Sequence, residues 1–192
     1  AREVGVKKFI YASTGGVYGA GQNSFSEKEA LIASGKNGFY VTSKICSEML
    51  ADNYQKFMDI VILRLFFVYG KMQKSSMLVP RLVTNVREKN PISLQGSNGI
   101  FLNPIHVSDA VSSVLAALNL KGSYTINVAG PKVLSLKELS ELIGEKVGVK
   151  PIFEYDLQSI PRHLVADITD MTRLLVTPRR FLNEGLDEMI NL

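Results

Sequence analysis

Asp59-Ile60-Val61-Ile62-Leu63-Arg64-Leu65-Phe66-Phe67 is an apolar run broken by a single arginine. A strand with one wet face alternates apolar and polar residues. An unbroken run suits a strand buried on both faces, the situation of a parallel sheet covered by helices. Lys8 to Ala12 and Tyr124 to Val128 read as further short strands rich in β formers. The segments between and after them have helical spacing. Met77 to Arg87 carries apolar residues at helical intervals and stops near Asn90-Pro91. Val107 to Leu120 is an apolar helix with Ser108 as its expected N-cap and Asp109 in its first turn. Ser135-Leu136-Lys137-Glu138 has the form of a capping box that opens a helix to Val147. Ile92 to Gly96 reads as a short strand and turn, and Asp167 to Ile190 as a final helical region. The alternation predicts an α/β chain with a parallel sheet.

Two patterns at the ends of these elements carry possible chemistry. The first strand ends in Ser13-Thr14-Gly15-Gly16-Val17-Tyr18-Gly19, a hydroxyl pair followed by glycines. In open α/β sheets ligands bind outside the carboxyl ends of the strands, so these hydroxyls stand where a ligand would sit. The same residues also suit an ordinary turn, with Ser13 or Thr14 capping a local amide. The second pattern is Tyr40-Val41-Thr42-Ser43-Lys44. On a helix, positions four apart share a face. An ammonium beside a phenol favours the phenolate and so equips a tyrosine for proton transfer. Alone, the same spacing describes a helix with one exposed lysine and one half-buried tyrosine.

Taken in order, Tyr11-Ala12-Ser13-Thr14-Gly15-Gly16-Val17-Tyr18-Gly19, Tyr40-Val41-Thr42-Ser43-Lys44 and Leu63-Arg64-Leu65-Phe66-Phe67-Val68-Tyr69-Gly70 resemble the extended short-chain dehydrogenase/reductase family, the NAD-dependent epimerases and dehydratases. Asn103-Pro104-Ile105-His106-Val107-Ser108-Asp109-Ala110 and Thr125-Ile126-Asn127-Val128-Ala129-Gly130-Pro131 extend the resemblance over nearly the whole chain. It implies Tyr40 as the catalytic acid/base and Lys44 as its activating cation and ribose ligand. It implies Thr14 as the hydroxyl that holds the substrate oxygen, with Ser13 as a second candidate. Ser13, Tyr40, Lys44, Phe67 and Val68 would meet the cofactor, NAD or NADP. The implied fold is a partial Rossmann-like parallel sheet with helices, plus a small C-terminal substrate-binding lobe. Residues 1–70 would form the later half of the nucleotide domain. Residues 71–192 would form mostly the substrate lobe, with 101–130 returning to the sheet.

The sequence departs from the family at several points. The glycine-rich strand–turn–helix that holds a dinucleotide pyrophosphate is not found in these residues; Gly15-Gly16 and Gly19-Ala20-Gly21 follow the hydroxyl turn and open no apolar helix. The chain therefore reads as the C-terminal portion of such an enzyme, expected to bind the dinucleotide poorly by itself. A homodimer, or association through the surface left by the missing half, is expected. The alternative is a non-catalytic binding or structural module without the cofactor half. Family members acting on nucleotide sugars usually carry an Asn and an Arg where Phe67 and Leu102 stand. Losing that Arg removes a bidentate contact to a diphosphate. Arg81 is a candidate replacement, as are Lys71 and Lys74, and His106 a candidate at the substrate's edge. Dehydratases often show an acidic pair after the catalytic Thr, where Gly15-Gly16 stand here.

Composition narrows the remaining classes. The 192 residues are 46% hydrophobic and 21% charged, enough for a sizeable core in a soluble protein. A net charge of +4 comes from scattered basic residues without interleaved aromatics, so nucleic acid is not the expected partner. No apolar stretch approaches a membrane span. The single Cys46 excludes an internal disulfide and fits a reducing cytoplasm. His106 and His163 form no ligand-spaced cluster, so no metal is expected. A small-molecule substrate remains as the expected partner.

Overall fold

The computed structural model describes residues 1–32 and 38–190. The chain runs through β1 (Lys8–Thr14), a 3-10 turn (Gly15–Tyr18), α1 (Gly38–Asp52), β2 (Asp59–Leu65) and β3 (Val68–Tyr69). It continues with α2 (Leu78–Arg87), β4 (Ile92–Gln95), β5 (Phe101–Leu102), β6 (Ile105–His106), α3 (Val107–Ala117) and β7 (Tyr124–Val128). It finishes with β8 (Leu134–Ser135), α4 (Leu136–Val147), β9 (Phe153–Asp156), α5 (Thr169–Leu174) and α6 (Leu182–Ile190).

The central sheet has the order β1-β2-β7, with every pairing parallel. β2 lies in the middle, and its apolar run fills both faces as the sequence predicts. Val61 and Leu63 pack with Ile126, Val128, Ala110, Ala117 and Met171 on the α3 side. Ile60 and Ile62 pack with Ala51 and Met58 on the α1 side. Each such aliphatic side chain is worth about 1.5–3 kcal/mol when taken fully out of water.

A second packing centre forms around α2, β4, α4 and α6, from Val79, Leu82, Val86, Leu94, Leu139, Ile143 and Leu186 among others. Around it lie two small pairs, β4 with β9 (parallel) and β5 with β8 (antiparallel). β3 pairs with β6 and links this region to the sheet.

The expected elements are present, with local corrections. The capping box at Ser135 and Glu138 is complete, and Gly148, left-handed at φ 73°, closes α4. α3 is capped by the His106 ring, which accepts the Ser108 amide, and not by Ser108. β6 ends at His106, so the cap lies two residues earlier than the Ser108 hydroxyl suggests. α1 stops at Asp52, and turns carry the chain through Phe57 to β2. The final helical region is two helices, α5 and α6, the first held by Asp167 accepting from the Thr169 amide and hydroxyl.

Candidate active site

Thr14 is the last residue of β1, at the carboxyl edge of the sheet. Its hydroxyl accepts the Gly16 amide at 3.2 Å and caps the 3-10 turn. That uses one lone pair and leaves the hydroxyl hydrogen for another acceptor. Gly15 is required next to it, because a Cβ there would lie 2.5 Å from the Phe66 ring.

α1 brings its first turn against this turn. A Cβ on Gly16 would meet Val41 Cγ2 at 3.3 Å and Thr14 Oγ1 at 3.5 Å. Tyr40, the neighbour of Val41, is 58% exposed, so its hydroxyl is open to a ligand. Lys44 follows one turn later. Its ammonium donates to the Ala12 carbonyl at 2.7 Å and lies 4.9 Å from the Tyr11 ring centroid and 5.8 Å from that of Tyr40. The three expected catalytic residues therefore gather on neighbouring elements at one end of the sheet.

Ser13 points elsewhere. Its hydroxyl is buried and donates to Glu48, the residue one turn beyond Lys44 on α1. Glu48 also takes two donors from Arg64: Nη2 at 2.7 Å and Nε at 3.2 Å from either oxygen. Arg64 Nη1 donates to the Tyr18 hydroxyl at 2.7 Å, which donates to Asn127 Oδ1 at 2.9 Å. Ser13, Arg64 and Asn127 are register partners on β1, β2 and β7. Together they form a polar row across the whole sheet, one residue before the strands end. Burial works against the Arg64 charge, but the hydrogen bonds to Glu48 and Tyr18 outweigh it and hold the guanidinium above its ordinary range. Burial pushes the Tyr18 phenol up, against the pull of Arg64, so it stays neutral.

The sequence marks this row only faintly, as one Arg in an apolar strand. Glu48 gives no signal, since an acid on a helix is ordinarily solvated; here its residue is 3% exposed.

Phe67 and Val68 follow the end of β2 at the same edge of the sheet. Phe67 has φ +42°, the left-handed region, which costs a non-glycine residue about 1–3 kcal/mol. It touches both the second packing centre and the cluster around Tyr18 and Phe66. Leu102 is fully buried in the second packing centre. Arg81 lies on the exposed side of α2. His106 is enclosed against Tyr69, with Nε2 3.4 Å from Glu188 of α6. Glu188 pairs with Arg180 at 2.6 Å, and Asp109 accepts the Arg179 and Arg180 amides. Burial, with Asp109 and Glu188, pushes the Tyr69 phenol up. His106 thus serves the junction of α3 and α6 and is not gathered with Tyr40.

A cleft of about 700 Å³ lies between α1 and the face of β1 and β2, lined by Phe9, Tyr11, Ser47, Leu50, Tyr54 and Ile60 among others. It is mainly apolar and contains none of Thr14, Tyr40 and Lys44. Among the described residues no group of His, Cys, Asp and Glu could hold a metal ion. No described helix is long and apolar enough to cross a membrane.

A family model described as the NAD dependent epimerase/dehydratase family matches residues 1–129. The chain is 31% identical over 197 residues to an uncharacterized UDP-glucose epimerase, YtcB, of Bacillus subtilis (strain 168), covering 98% of this chain and 61% of that protein. It is 27% identical over 196 residues to UDP-glucuronate 4-epimerase of Thermodesulfobacterium geofontis (strain OPF15), covering 99% of this chain and 60% of that protein. The solved structure of MoeE5 in complex with UDP-glucuronic acid and NAD superposes with a TM-score of 0.83 at 26% identity, over 98% of this chain and 65% of that one. UDP-glucuronic acid 4-epimerase from Bacillus cereus in complex with NAD gives 0.81 at 28% identity, over 96% of this chain and 58% of that one. The chain spans about three fifths of the length of the curated relatives it matches.

Proposed function

Because this chain belongs to the NAD dependent epimerase/dehydratase family, we propose that it supplies the proton-transfer half of an NAD-dependent hydride-transfer site acting on a nucleotide sugar. The carrying observation is the gathering of Thr14, Tyr40 and Lys44 at the carboxyl end of β1. The donor set suits the nicotinamide-ribose end of NAD, since the Lys44 ammonium has three donors and Ala12 takes one. When bound, NAD supplies the hydride acceptor. Tyr40 takes the proton of the substrate hydroxyl as its carbon loses hydride, and returns it in the reverse step. Thr14 donates its free hydrogen to the same oxygen. The Lys44 charge stabilises the phenolate that accepts this proton and holds the ribose hydroxyls.

Residues 1–70, with 101–130, belong in this reading to the nucleotide domain, and the rest of 71–192 to the substrate lobe. The pyrophosphate cradle would come from the part of the relatives' length that this chain does not span. Its docking place is the open edge of β1, where association with a second chain is the other possibility. Epimerisation or reduction fits better than dehydration, because glycines follow Thr14. With Leu102 buried, the exposed Arg81 is the candidate cation for an anionic group of the substrate. The setting is the cytoplasm.

The test is the Tyr40→Phe variant of the full-length protein, assayed with NAD and with UDP-glucose and UDP-glucuronic acid as probes. Turnover should fall about 10²–10⁴-fold, with NAD binding little changed. Parent-like turnover in that variant would make Tyr40 a mere surface aromatic and defeat the reading.

A further inference from the structure

The polar row Ser13–Arg64–Asn127 lies one residue from the strand ends, and the helix that carries Tyr40 and Lys44 is tied to it through Glu48. We propose that Glu48 and Arg64 are positioning residues for the reaction: they set the rotation and depth of α1 so that Tyr40 and Lys44 stand over Thr14. This rests on the hydride-transfer reading above and deepens it.

Tyr40, Lys44 and Glu48 succeed one another at intervals of four on one face of α1. The first two must stay open for ligands. Glu48 alone of the three reaches the buried polar row. Apart from the Lys44 ammonium, which reaches the Ala12 carbonyl on a flexible stem, α1 otherwise meets the sheet through non-directional contacts such as Ala51 with Ile60 and Ile62. Those would let a helix roll or slide by a fraction of an ångström at little cost. A carboxylate that must receive Arg64 Nε, Arg64 Nη2 and the Ser13 hydroxyl at once permits far less.

The other end of the device is equally constrained. Arg64 cannot shift toward Glu48 without leaving Tyr18, and Tyr18 cannot follow without leaving Asn127. Tyr18 closes the 3-10 turn that Thr14 opens, and Ser13 precedes Thr14 directly. The same network therefore fixes the strand end that presents Thr14 and the helix that presents Tyr40. Arg64 serves two acceptors through its planar fork, which a lysine cannot reproduce.

The experiment is a rate cycle in the full-length protein on whichever of the two probes named above is turned over. Glu48→Gln keeps the shape but weakens the charge-assisted bonds. Its kcat should fall about 10–100-fold, the order expected when reacting groups are misplaced by about 1 Å, with KM little changed. In a Tyr40→Phe background the same substitution should cost less than about threefold, because no proton relay is left to misalign. Arg64→Lys should behave as Glu48→Gln does.

Equal losses in both backgrounds would mean general damage and would overturn the proposal. Parent-like kcat in Glu48→Gln beside an inactive Tyr40→Phe would overturn it while leaving the hydride-transfer reading intact. A fully active Tyr40→Phe would overturn both. Ser13→Ala removes one donor and keeps the ion pair, so it carries the same cycle at smaller amplitude if Glu48→Gln fails to fold. If neither probe is turned over, amide exchange decides. Glu48→Gln or Ser13→Ala should speed exchange over residues 40–48 and leave α4 unchanged, and unchanged exchange over 40–48 would overturn the proposal.

Discussion

The packing centre around α2, α4 and α6 and the α1 side of the central sheet both bury aliphatic side chains, yet they are closed differently. In the first, Leu82, Leu94, Leu139, Ile143 and Leu186 meet one another, and the buried hydroxyl of Ser140 bonds within its own helix. In the second, the aliphatic contacts of Ile60 and Ile62 with Ala51 and Met58 give way, toward the strand ends, to Ser13, Arg64, Asn127, Glu48 and Tyr18. Apolar contact is non-directional and tolerates repacking if volume is kept. A buried ion pair does not, and its contribution to stability is often small because desolvation offsets attraction. The difference teaches where precision is needed. The apolar centre holds a lobe together, and the polar row stands beside the residues whose relative placement decides a reaction.

Breaking the pair on one side only should give the largest effect. Arg64→Met leaves the Glu48 carboxylate buried without its cation, and should cost about 3–5 kcal/mol of unfolding free energy. Combining it with Glu48→Leu should recover most of that loss in urea unfolding. If the double variant is as unstable as the single one, the row owes its place to packing and the contrast with the apolar centre disappears.

On the other side of the comparison, Leu139→Ala should cost about 2–5 kcal/mol through lost burial and a cavity. Turnover per folded molecule should stay near that of the parent. A kcat that falls in step with stability would show that the apolar centre also sets catalytic geometry.

A smaller effect is expected at the start of α4. Ser135→Ala removes the hydroxyl that accepts the Glu138 amide, and should lower stability by about 1 kcal/mol. The variant should leave amide exchange in α1 untouched, a check that the two regions are energetically separate.

The smallest effects concern protons, and the two regions should respond with opposite sign. The Ser135 amide and then its hydroxyl hold the Glu138 carboxyl below its ordinary range. Its contribution is present above the unfolded value, about 4.3, and is lost as pH falls through the lower folded value. Glu27, which accepts the Asn127 amide at the end of the polar row, is pushed up by burial, and Asp170 and Asp167 add to the rise. Its contribution is present below the unfolded value and is lost as pH rises through the raised folded one. Urea midpoints between pH 3 and pH 7 should therefore fall less steeply toward acid in Glu138→Gln. In Glu27→Gln they should fall less on the alkaline side of pH 5. Identical profiles for either variant and the parent would remove that carboxyl from the account.

Much of the fold was written in local order. The both-sides apolar character of Ile60 to Leu63 can be met only by layers on two faces, and the structure places α1 and α3 there. The Ser135 box and the Tyr40–Lys44 spacing are properties of neighbouring residues on one helix, so they too are legible without tertiary information. What the sequence could not express is coincidence between distant segments. Ser13 and Thr14 are adjacent hydroxyls of similar chemistry, and only the pleat of β1 and the arrival of Glu48 separate a buried structural donor from an open one. Arg64 reads as an interruption until Glu48, Tyr18 and Asn127 surround it. His106, a candidate for the substrate's edge, becomes a helix cap facing Glu188 because β6 ends where α3 begins. Periodicity and capping depend on residues a few positions apart and survive in the linear chain. The partner of a buried charge is chosen by strand register and helix docking, which exist only once the whole sheet has formed.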